Sequence, residues 1–275
     1  MRRLPPALTA TLLLAGCGSA DWESGNASPN GNVVAETPLP PLPTPTPTPS
    51  PSPVTASVAE ETEDYEFSYS FPSAAAAIPG LAAWFEADRA RARAQVAKES
   101  AAFRAEREAD DTPFRKYTTS VAWSVVADTP RLLSLSALTN DYTGGAHGSP
   151  GFGALVWDKT AGRRLKPTAL FQSEAALQEA LGADFCTALD AERAKRRGEP
   201  VDRASGDMFD ECPRVNEATL ILGSRSKRAI DRVGLLVGPY VAGSYAEGSY
   251  DLTFPITPAL LAAVKPAYRD AFAAP

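Results

Sequence analysis

The run PLPPLPTPTPTPSPSP at residues 38–53 sets the strongest limit on what this chain can fold into. Nine of its sixteen residues are proline, which fixes one backbone angle and has no amide hydrogen to donate. Such a run favours extended polyproline II with a rise of ~3.1 Å per residue, and so a length of ~50 Å. We therefore predict a stiff, disordered spacer over residues 17–62 and a folded part that begins at residue 63. A docking motif for a proline-binding module is the alternative.

The N-terminal residues are typical of a targeting segment. Two arginines come first, and an apolar region follows at residues 4–14, shorter than the about 20 residues of a transmembrane helix. The next residues, Leu14-Ala15-Gly16-Cys17, resemble the lipobox of bacterial lipoproteins. That resemblance implies a signal peptide at residues 1–16 and a diacylglycerol on the thiol of Cys17. The alternative is an ordinary secretory signal that is cut near Ala20.

Lipidation of Cys17 predicts that the protein is exported and anchored to the cell envelope. At about 0.8 kcal/mol per buried methylene, two or three acyl chains hold a protein durably at a membrane. The residue after the cysteine is Gly18 and not an aspartate. By analogy with lipoprotein sorting, this favours the outer membrane facing the periplasm if the cell is Gram-negative.

The charge and the missing motifs exclude several classes of function. The chain has a net charge of −6, and loss of the two N-terminal arginines gives −6 − 2 = −8. An acidic chain without a basic stripe is a poor candidate for binding nucleic acid or anionic lipid. It also lacks a Walker A loop and a G-x-G-x-x-G run, so we expect no nucleotide and no other cofactor.

Two cysteines remain besides Cys17, namely Cys186 and Cys212. In an exported protein an even pair is most simply a disulfide. Two thiols do not suffice for structural zinc, which takes four ligands. We predict a Cys186–Cys212 disulfide and no metal site.

Hydrophobic periodicity divides the folded part into strands and helices. Helical spacing predicts one long amphipathic helix from Pro79 to near Asp110, a second helix capped by Ser173 and a third opened by Thr257 and Pro258. Period-two alternation or apolar runs bounded by turns predict the strands: residues 65–71, 117–127, 131–142, 152–158, 218–222, 229–237 and 249–256.

This order of elements favours an α+β fold of antiparallel sheets with one long N-terminal amphipathic helix and two further helices. We expect two lobes, one at residues 63–127 and one at residues 128–275. The polar stretch from Lys195 to Glu217 is expected to be irregular.

The sequence DYTGGAHG at residues 141–148 contains His147, the only histidine of the chain. Because a catalytic metal site generally takes three protein ligands, with histidine prominent, one imidazole gives little support for a metal centre. A hydrolase would need His147 as acid or base with Asp141 or Asp158 assisting, and the chain has no G-x-S-x-G elbow. The other interpretation is a turn between two strands, in which glycines supply the backbone angles.

Two glycine-rich motifs resemble a bacterial extracytoplasmic domain of unknown function. The first is Tyr142-Thr143-Gly144-Gly145-Ala146-His147-Gly148, followed by Val156-Trp157-Asp158…Gly162 and Leu170-Phe171. The second is GPYVAGSYAEG at residues 238–248, which leads into a strand. The resemblance covers roughly residues 63–275. That domain occurs in a lysozyme-sensing anti-sigma factor and beside the catalytic domain of a peptidoglycan deacetylase.

The resemblance implies a non-catalytic binding or sensing module. The chain shows neither the transmembrane helix of the anti-sigma factor nor the paired histidines of the deacetylase's metal site. We therefore expect a lipid-anchored module with no catalytic residue, and as partners a cell-wall glycan or a glycan-cleaving enzyme such as lysozyme. An envelope hydrolase that uses His147 and a purely structural lipoprotein are the alternatives. The candidate recognition residues lie in the two motifs: Tyr142, Gly144, Gly145, His147, Tyr240 and Tyr245. The tyrosines either stack on sugar rings or pack inside the fold.

The lipobox generates a direct prediction. Mature protein should partition into detergent, and Cys17→Ser should abolish this partitioning because the acyl chains have no other attachment point. Phase separation in detergent, followed by immunoblotting, checks this. Unchanged partitioning of the variant would disprove the anchor.

Overall fold

A computed structural model of the protein describes residues 54–274, which belong to one compact unit, Pro49–Pro275. The predicted signal peptide at residues 1–16, Cys17 and the spacer as far as residue 53 lie outside the described residues. Among residues 54–274, no helix combines the length and apolar character needed to cross a membrane.

The described residues form nine strands and four α-helices, which confirms the predicted α+β class. The strands are β1 (Val54–Glu61), β2 (Tyr65–Pro72), β3 (Tyr117–Asp128), β4 (Leu132–Tyr142), β5 (Ser149–Asp158), β6 (Arg163–Leu165), β7 (Thr219–Gly223), β8 (Arg232–Val237) and β9 (Tyr250–Pro255). The helices are α1 (Ser73–Ala76), α2 (Pro79–Ala109), α3 (Glu174–Arg197) and α4 (Pro258–Ala263).

The first sheet has six strands in the order β1-β2-β3-β4-β5-β6. Neighbouring strands are antiparallel except β2 and β3, which pair in parallel with Tyr65 opposite Tyr117. The exception has a simple cause. The 31-residue helix α2 carries the chain back along the sheet, so β3 starts at the same end as β2. The predicted antiparallel sheets are therefore confirmed, with this one parallel pair as the exception.

Helix α2 covers one face of the first sheet. Its buried side chains include Leu81, Phe85 and Val96, and the ring of Phe85 stacks on Phe71 of β2 with centroids 4.8 Å apart. The alternating aromatics of β2 all point toward this helix and are buried. The predicted long amphipathic helix is confirmed, with Pro79 in its first turn as the sequence suggested.

The second sheet has three antiparallel strands in the order β7-β8-β9. Helices α3 and α4 pack on it and enclose a second hydrophobic core. The apolar stripe predicted for α3 is buried as expected: Leu177, Leu181, Phe185 and Leu189. The Ser173 side chain accepts a hydrogen bond from the amide of Ala176 and so caps this helix.

Three predicted boundaries need correction. The spacer predicted over residues 17–62 extends too far, because residues 54–61 form β1, which pairs through its backbone with β2. The lobe boundary between residues 127 and 128 falls inside the β3–β4 hairpin, whose strands are hydrogen-bonded to each other. The last predicted helix ends at Ala263, since Pro266 cannot continue it and opens a short 3-10 turn instead.

The predicted disulfide is confirmed. Cys186 of α3 is bonded to Cys212, and their α-carbons are 5.6 Å apart. The bond ties α3 to the long segment at residues 198–214, which contains no helix or strand.

Removing this bond should destabilise the domain without unfolding it. For a closed loop of roughly 27 residues, the chain-entropy model gives roughly 3.5 kcal/mol, which corresponds to a melting temperature about 10 °C lower for a domain of this size. Calorimetry of the Cys186→Ser, Cys212→Ser double variant measures this. An unchanged melting temperature would show that the bond contributes nothing.

Candidate recognition site

The two glycine-rich motifs meet in the folded protein, and three aromatic side chains mark the contact. The imidazole of His147 stacks on the ring of Tyr245, with centroids 3.7 Å apart and planes inclined by 20°. The Tyr240 hydroxyl lies 3.3 Å from Nε2 of His147, and the two tyrosine rings are 6.0 Å apart. We call these three residues the aromatic triad.

The β4–β5 hairpin positions His147. Asp141 pairs with Ser149, so residues 142–148 form the hairpin tip. Gly144 has a positive φ of 83°, and a β-carbon there would come within 2.9 Å of the Phe103 ring on α2. A side chain at Gly144 is thus excluded both by the backbone and by the helix. A β-carbon at Gly145 would meet nothing within 4 Å, so its role in the motif is not steric.

A tight turn at Gly238–Val241 presents Tyr240. The amide of Val241 donates to the carbonyl of Gly238 at 3.3 Å, with Pro239 and Tyr240 as the two central residues. Tyr240 has a φ of +67°, at the position that usually takes glycine in a type II turn. A tyrosine in this conformation costs of order 1–3 kcal/mol, yet 58% of its surface is exposed. Packing in the hydrophobic core therefore does not explain why a strained tyrosine occupies this position.

Arginines of α3 hold the rest of this loop. Arg197 bonds to Glu247, with Nε 3.0 Å from Oε2, and to Asp210 at 2.6 Å. Glu247 also accepts from the hydroxyl of Tyr250 at 2.5 Å and from the amide of Ser244 at 3.2 Å. We call the Arg197–Glu247 pair the clamp. It fixes the segment that carries Tyr245.

A second arginine supports the same loop from inside the fold. Arg193 is fully buried and donates from Nε to the carbonyl of Ala242 at 2.8 Å. Its other partner is Asp190, one turn earlier on α3, at 3.2 Å. Ala242 lies between Tyr240 and Tyr245 in the chain. The buried Arg193–Ala242 hydrogen bond therefore holds the segment that carries both tyrosines against α3.

The contacts of the clamp shift the pKa values of Glu247 and of its neighbour Tyr250. Burial alone raises the pKa of Glu247, but hydrogen bonds from Tyr250 and Arg197 outweigh it and hold the pKa below the usual 4.5. Burial and the bond to Glu247 raise the pKa of Tyr250 to about 12. Glu247 is therefore an anion at neutral pH, and Tyr250 remains a donor.

The sequence did not single out Arg193, Arg197 or Glu247. One signal was present for Glu247, because Ser244-x-x-Glu247 has the spacing of a capping box, and the Glu247 carboxylate does accept the Ser244 amide. Nothing local indicates that the two arginines support this loop, since the loop residues that they bind are about 50 residues away in the chain.

The other candidate residues lie apart from the triad. Tyr142 contacts Arg115, whose Nη1 is 3.4 Å from the phenol oxygen. Asp141 accepts from the Thr119 hydroxyl at 2.7 Å. Asp158 is buried and accepts two backbone amides of the following turn. Asp158 is the last residue of β5, which begins two residues after His147. At about 3.3 Å per residue, the strand separates Asp158 from His147 by about 30 Å.

The site therefore presents ring faces and polar edges. The ring nitrogens of His147 contact the Tyr240 hydroxyl and, at 2.9 Å, the carbonyl of Gly148. Among residues 54–274 no carboxylate is hydrogen-bonded to this imidazole, and no cluster of three side chains suited to a metal ion is present in that range.

Comparison with known families gives a match over residues 58–150, to the family described as deacetylase PdaC. Residues 58–150, which we call the PdaC-type segment, are similar to this family. The resemblance inferred from the sequence is thereby confirmed over this segment, which runs from β1 into β5 and contains the GGAHG hairpin. Of the aromatic triad, His147 belongs to the PdaC-type segment, and both tyrosines come from the chain beyond it.

Two solved structures are similar to this protein. One is a member of the DUF3298 family from Bacteroides fragilis, 19% identical, with a TM-score of 0.48 and coverage of 73% of this chain and 88% of that one. The other is a DUF3298 family protein from Pseudomonas aeruginosa, also 19% identical, with a TM-score of 0.41 and coverage of 81% and 97%. The search of curated proteins gives no significant match.

Replacing Glu247 tests the clamp. Glu247→Gln should lower the free energy of unfolding at pH 7 by roughly 1.5–3 kcal/mol, the usual worth of hydrogen bonds to a charged group. Because folding lowers this pKa, the contribution is complete above the unfolded value of 4.5 and is lost as the pH falls through the folded value. The difference between variant and parent should therefore shrink in acid, as measured by denaturant unfolding over a pH series.

A matched control is Glu217→Gln. The Glu217 carboxylate accepts the backbone amide of Arg214 at 2.6 Å, as the Glu247 carboxylate accepts the amide of Ser244. Glu217 is exposed, however, and no arginine side chain among the described residues pairs with it. Equal losses in the two variants would mean that the cap, and not the clamp, accounts for the effect.

Proposed function

We propose that the protein is a lipid-anchored, non-catalytic module of the cell envelope that binds a cell-wall glycan. The observation that carries this proposal is the aromatic triad, in which the exposed rings of His147 and Tyr240 and the half-buried ring of Tyr245 come together from two distant motifs. Flat rings with polar edges suit a sugar, since the ring face packs on apolar C–H groups while hydroxyls reach the hydrogen-bonding atoms at the rim. From the sequence, both tyrosines could either stack on sugar rings or pack inside the fold. The exposure of Tyr240 supports sugar stacking.

Pre-organisation gives further support. Tyr240 is held in a strained backbone conformation, and strain of this kind tends to be kept at binding sites where the surrounding structure enforces it. The clamp and the Arg193–Ala242 bond supply that enforcement. A loop already fixed in its binding shape loses little conformational entropy when it takes up a ligand.

The surroundings of His147 favour binding over hydrolysis. A histidine that acts as a general base is usually oriented by a third group, most often a carboxylate. Here the imidazole stacks on the Tyr245 ring and meets the Tyr240 hydroxyl at its edge. The two aspartates that would assist it bond elsewhere. The lysozyme-like partner expected from the resemblance would use the same exposed rings, but a protein partner needs a larger surface than three side chains supply.

The Tyr240 ring can be removed from the triad without destabilising the domain. Tyr240→Gly places a favoured residue at φ +67° and should keep or raise the melting temperature, while peptidoglycan binding falls at least about fivefold from the loss of one stacked ring. Sedimentation of purified protein with insoluble peptidoglycan measures the binding.

Tyr142→Ala is the matched control, since it removes a half-buried tyrosine that lies outside the triad, in the first glycine-rich motif with His147. It should bind as the parent does. Equal binding by all three proteins, or no binding by any, contradicts the proposal and favours a structural lipoprotein. Release of sugar fragments or acetate by the parent, lost in His147→Ala, would establish a hydrolase instead.

A further inference from the structure

Four turns that are distant in sequence meet at the end of the molecule opposite the triad. They are the β3–β4 turn (128–131), the β5–β6 turn (158–163), the β7–β8 turn (224–232) and the C-terminal turn (266–271). The amide of Lys159 donates to the carbonyl of Arg131 at 2.8 Å, and Arg131 is paired with Asp270. Arg163 reaches the Tyr268 hydroxyl at 3.0 Å. We call this set of turns the basic pole.

The basic pole reverses the charge of the rest of the chain. The four segments hold eight lysines and arginines and four aspartates, so their sum is 8 − 4 = +4, against −6 for the whole protein. No basic stripe is visible along the sequence, because no segment contributes more than four of the eight cations. Folding brings them together.

The aspartates of the pole are already occupied. Asp128 pairs with Lys159, Asp270 with Arg131 and Asp231 with Arg232, while buried Asp158 accepts two backbone amides.

Five cations of the pole have no carboxylate partner among residues 54–274. Three of them, Arg225, Lys227 and Arg228, form the exposed tip of the β7–β8 turn. The other two are Arg269 and Arg163, which donates to the Tyr268 hydroxyl. The charged side chains of Arg225, Lys227 and Arg228 form no hydrogen bond or ion pair with any described residue. They are therefore available to bind external anions.

The chain enters the folded part at this same pole. Val54, the first described residue, pairs with Pro72, just before α1. Ala74 and Ala77, at the α1–α2 junction, line one cleft with Asp128 and Lys159. The proline-rich run therefore joins the domain beside the basic pole. The triad lies at the other end of β4 and β5, about 30 Å away along those strands at about 3.3 Å per residue.

We infer that the basic pole docks on the phosphate headgroups of an anionic lipid membrane. The proposed ligand is a layer of phosphate groups. Because the proline-rich run joins the domain beside the basic pole, we assign these phosphates to the membrane that carries the proposed anchor. Docking turns the aromatic triad outward, toward the glycan layer. The inference rests on the proposed lipid attachment for its biological setting, but the surface itself is testable without the anchor or any glycan.

The test uses a chain that begins at Gly18, which lacks the anchor and keeps the whole compact unit over residues 49–275. Flotation with vesicles of phosphatidylglycerol mixed with phosphatidylcholine should show binding, and pure phosphatidylcholine vesicles should not. The triple variant Arg225→Gln, Lys227→Gln, Arg228→Gln should bind about 100-fold more weakly, since each cation near an anionic surface contributes about a factor of five. Binding should also weaken with added salt.

The matched control neutralises three cations in the middle of α2: Arg91→Gln, Arg93→Gln and Lys98→Gln. It has the same net charge as the tip variant and should bind within about threefold of the parent, because those side chains lie away from the surface by more than about a Debye length. Equal weakening in both variants would overturn the proposal, and so would equal binding to the two kinds of vesicle. Release from vesicles by inorganic phosphate at constant ionic strength would overturn it in favour of a free-phosphate site. None of these outcomes depends on peptidoglycan binding, so failure here and failure of the glycan proposal are distinguishable.

Discussion

Strand β4 is buried on both faces over its first half, and this constraint determines how the rest of the domain is arranged. Successive side chains of a strand point to opposite faces, so Leu133 and Leu135 enter the core under α2 while Leu132 enters the core of the second sheet. Between them, the buried Ser134 hydroxyl accepts the amide of Leu222 on β7. One strand therefore belongs to two cores and fixes the two sheets against each other.

The aromatic triad is a consequence of that fixed arrangement. His147 lies on the hairpin that continues β4, and the two tyrosines lie on the loop that continues β8. Since β7 packs on β4 and β5 and β8 pairs with β7, the hairpin and the loop end at the same side of the molecule. Local forces then set the details, with the positive φ of Tyr240 and the Arg197–Glu247 pair holding the rings in place.

Local patterns in the sequence predicted most of the helices and strands. They did not predict which residues distant in the chain contact each other. Alternation in Tyr65–Phe71 and helical spacing after Pro79 come from residues close in the chain, as does the Ser173 cap. The parallel pairing of β2 with β3, the clamp and the basic pole each join residues tens of positions apart, and single-sequence periodicity carries no information on such pairs. The paired motifs were the exception, because two glycine-rich loops with aromatic residues pointed to His147, Tyr240 and Tyr245 before their contact was known.

The single histidine makes the central claim directly measurable, since the imidazole of His147 gives one set of carbon-bound proton signals in an NMR spectrum. We propose that His147, Tyr240 and Tyr245 form one glycan-binding surface. Stacking on Tyr245 at 3.7 Å places those protons in the ring's shielding region. Titration with soluble peptidoglycan fragments should shift them progressively to saturation, together with the amides of residues 238–248. Imidazole signals that stay unmoved while amides elsewhere shift would contradict the account.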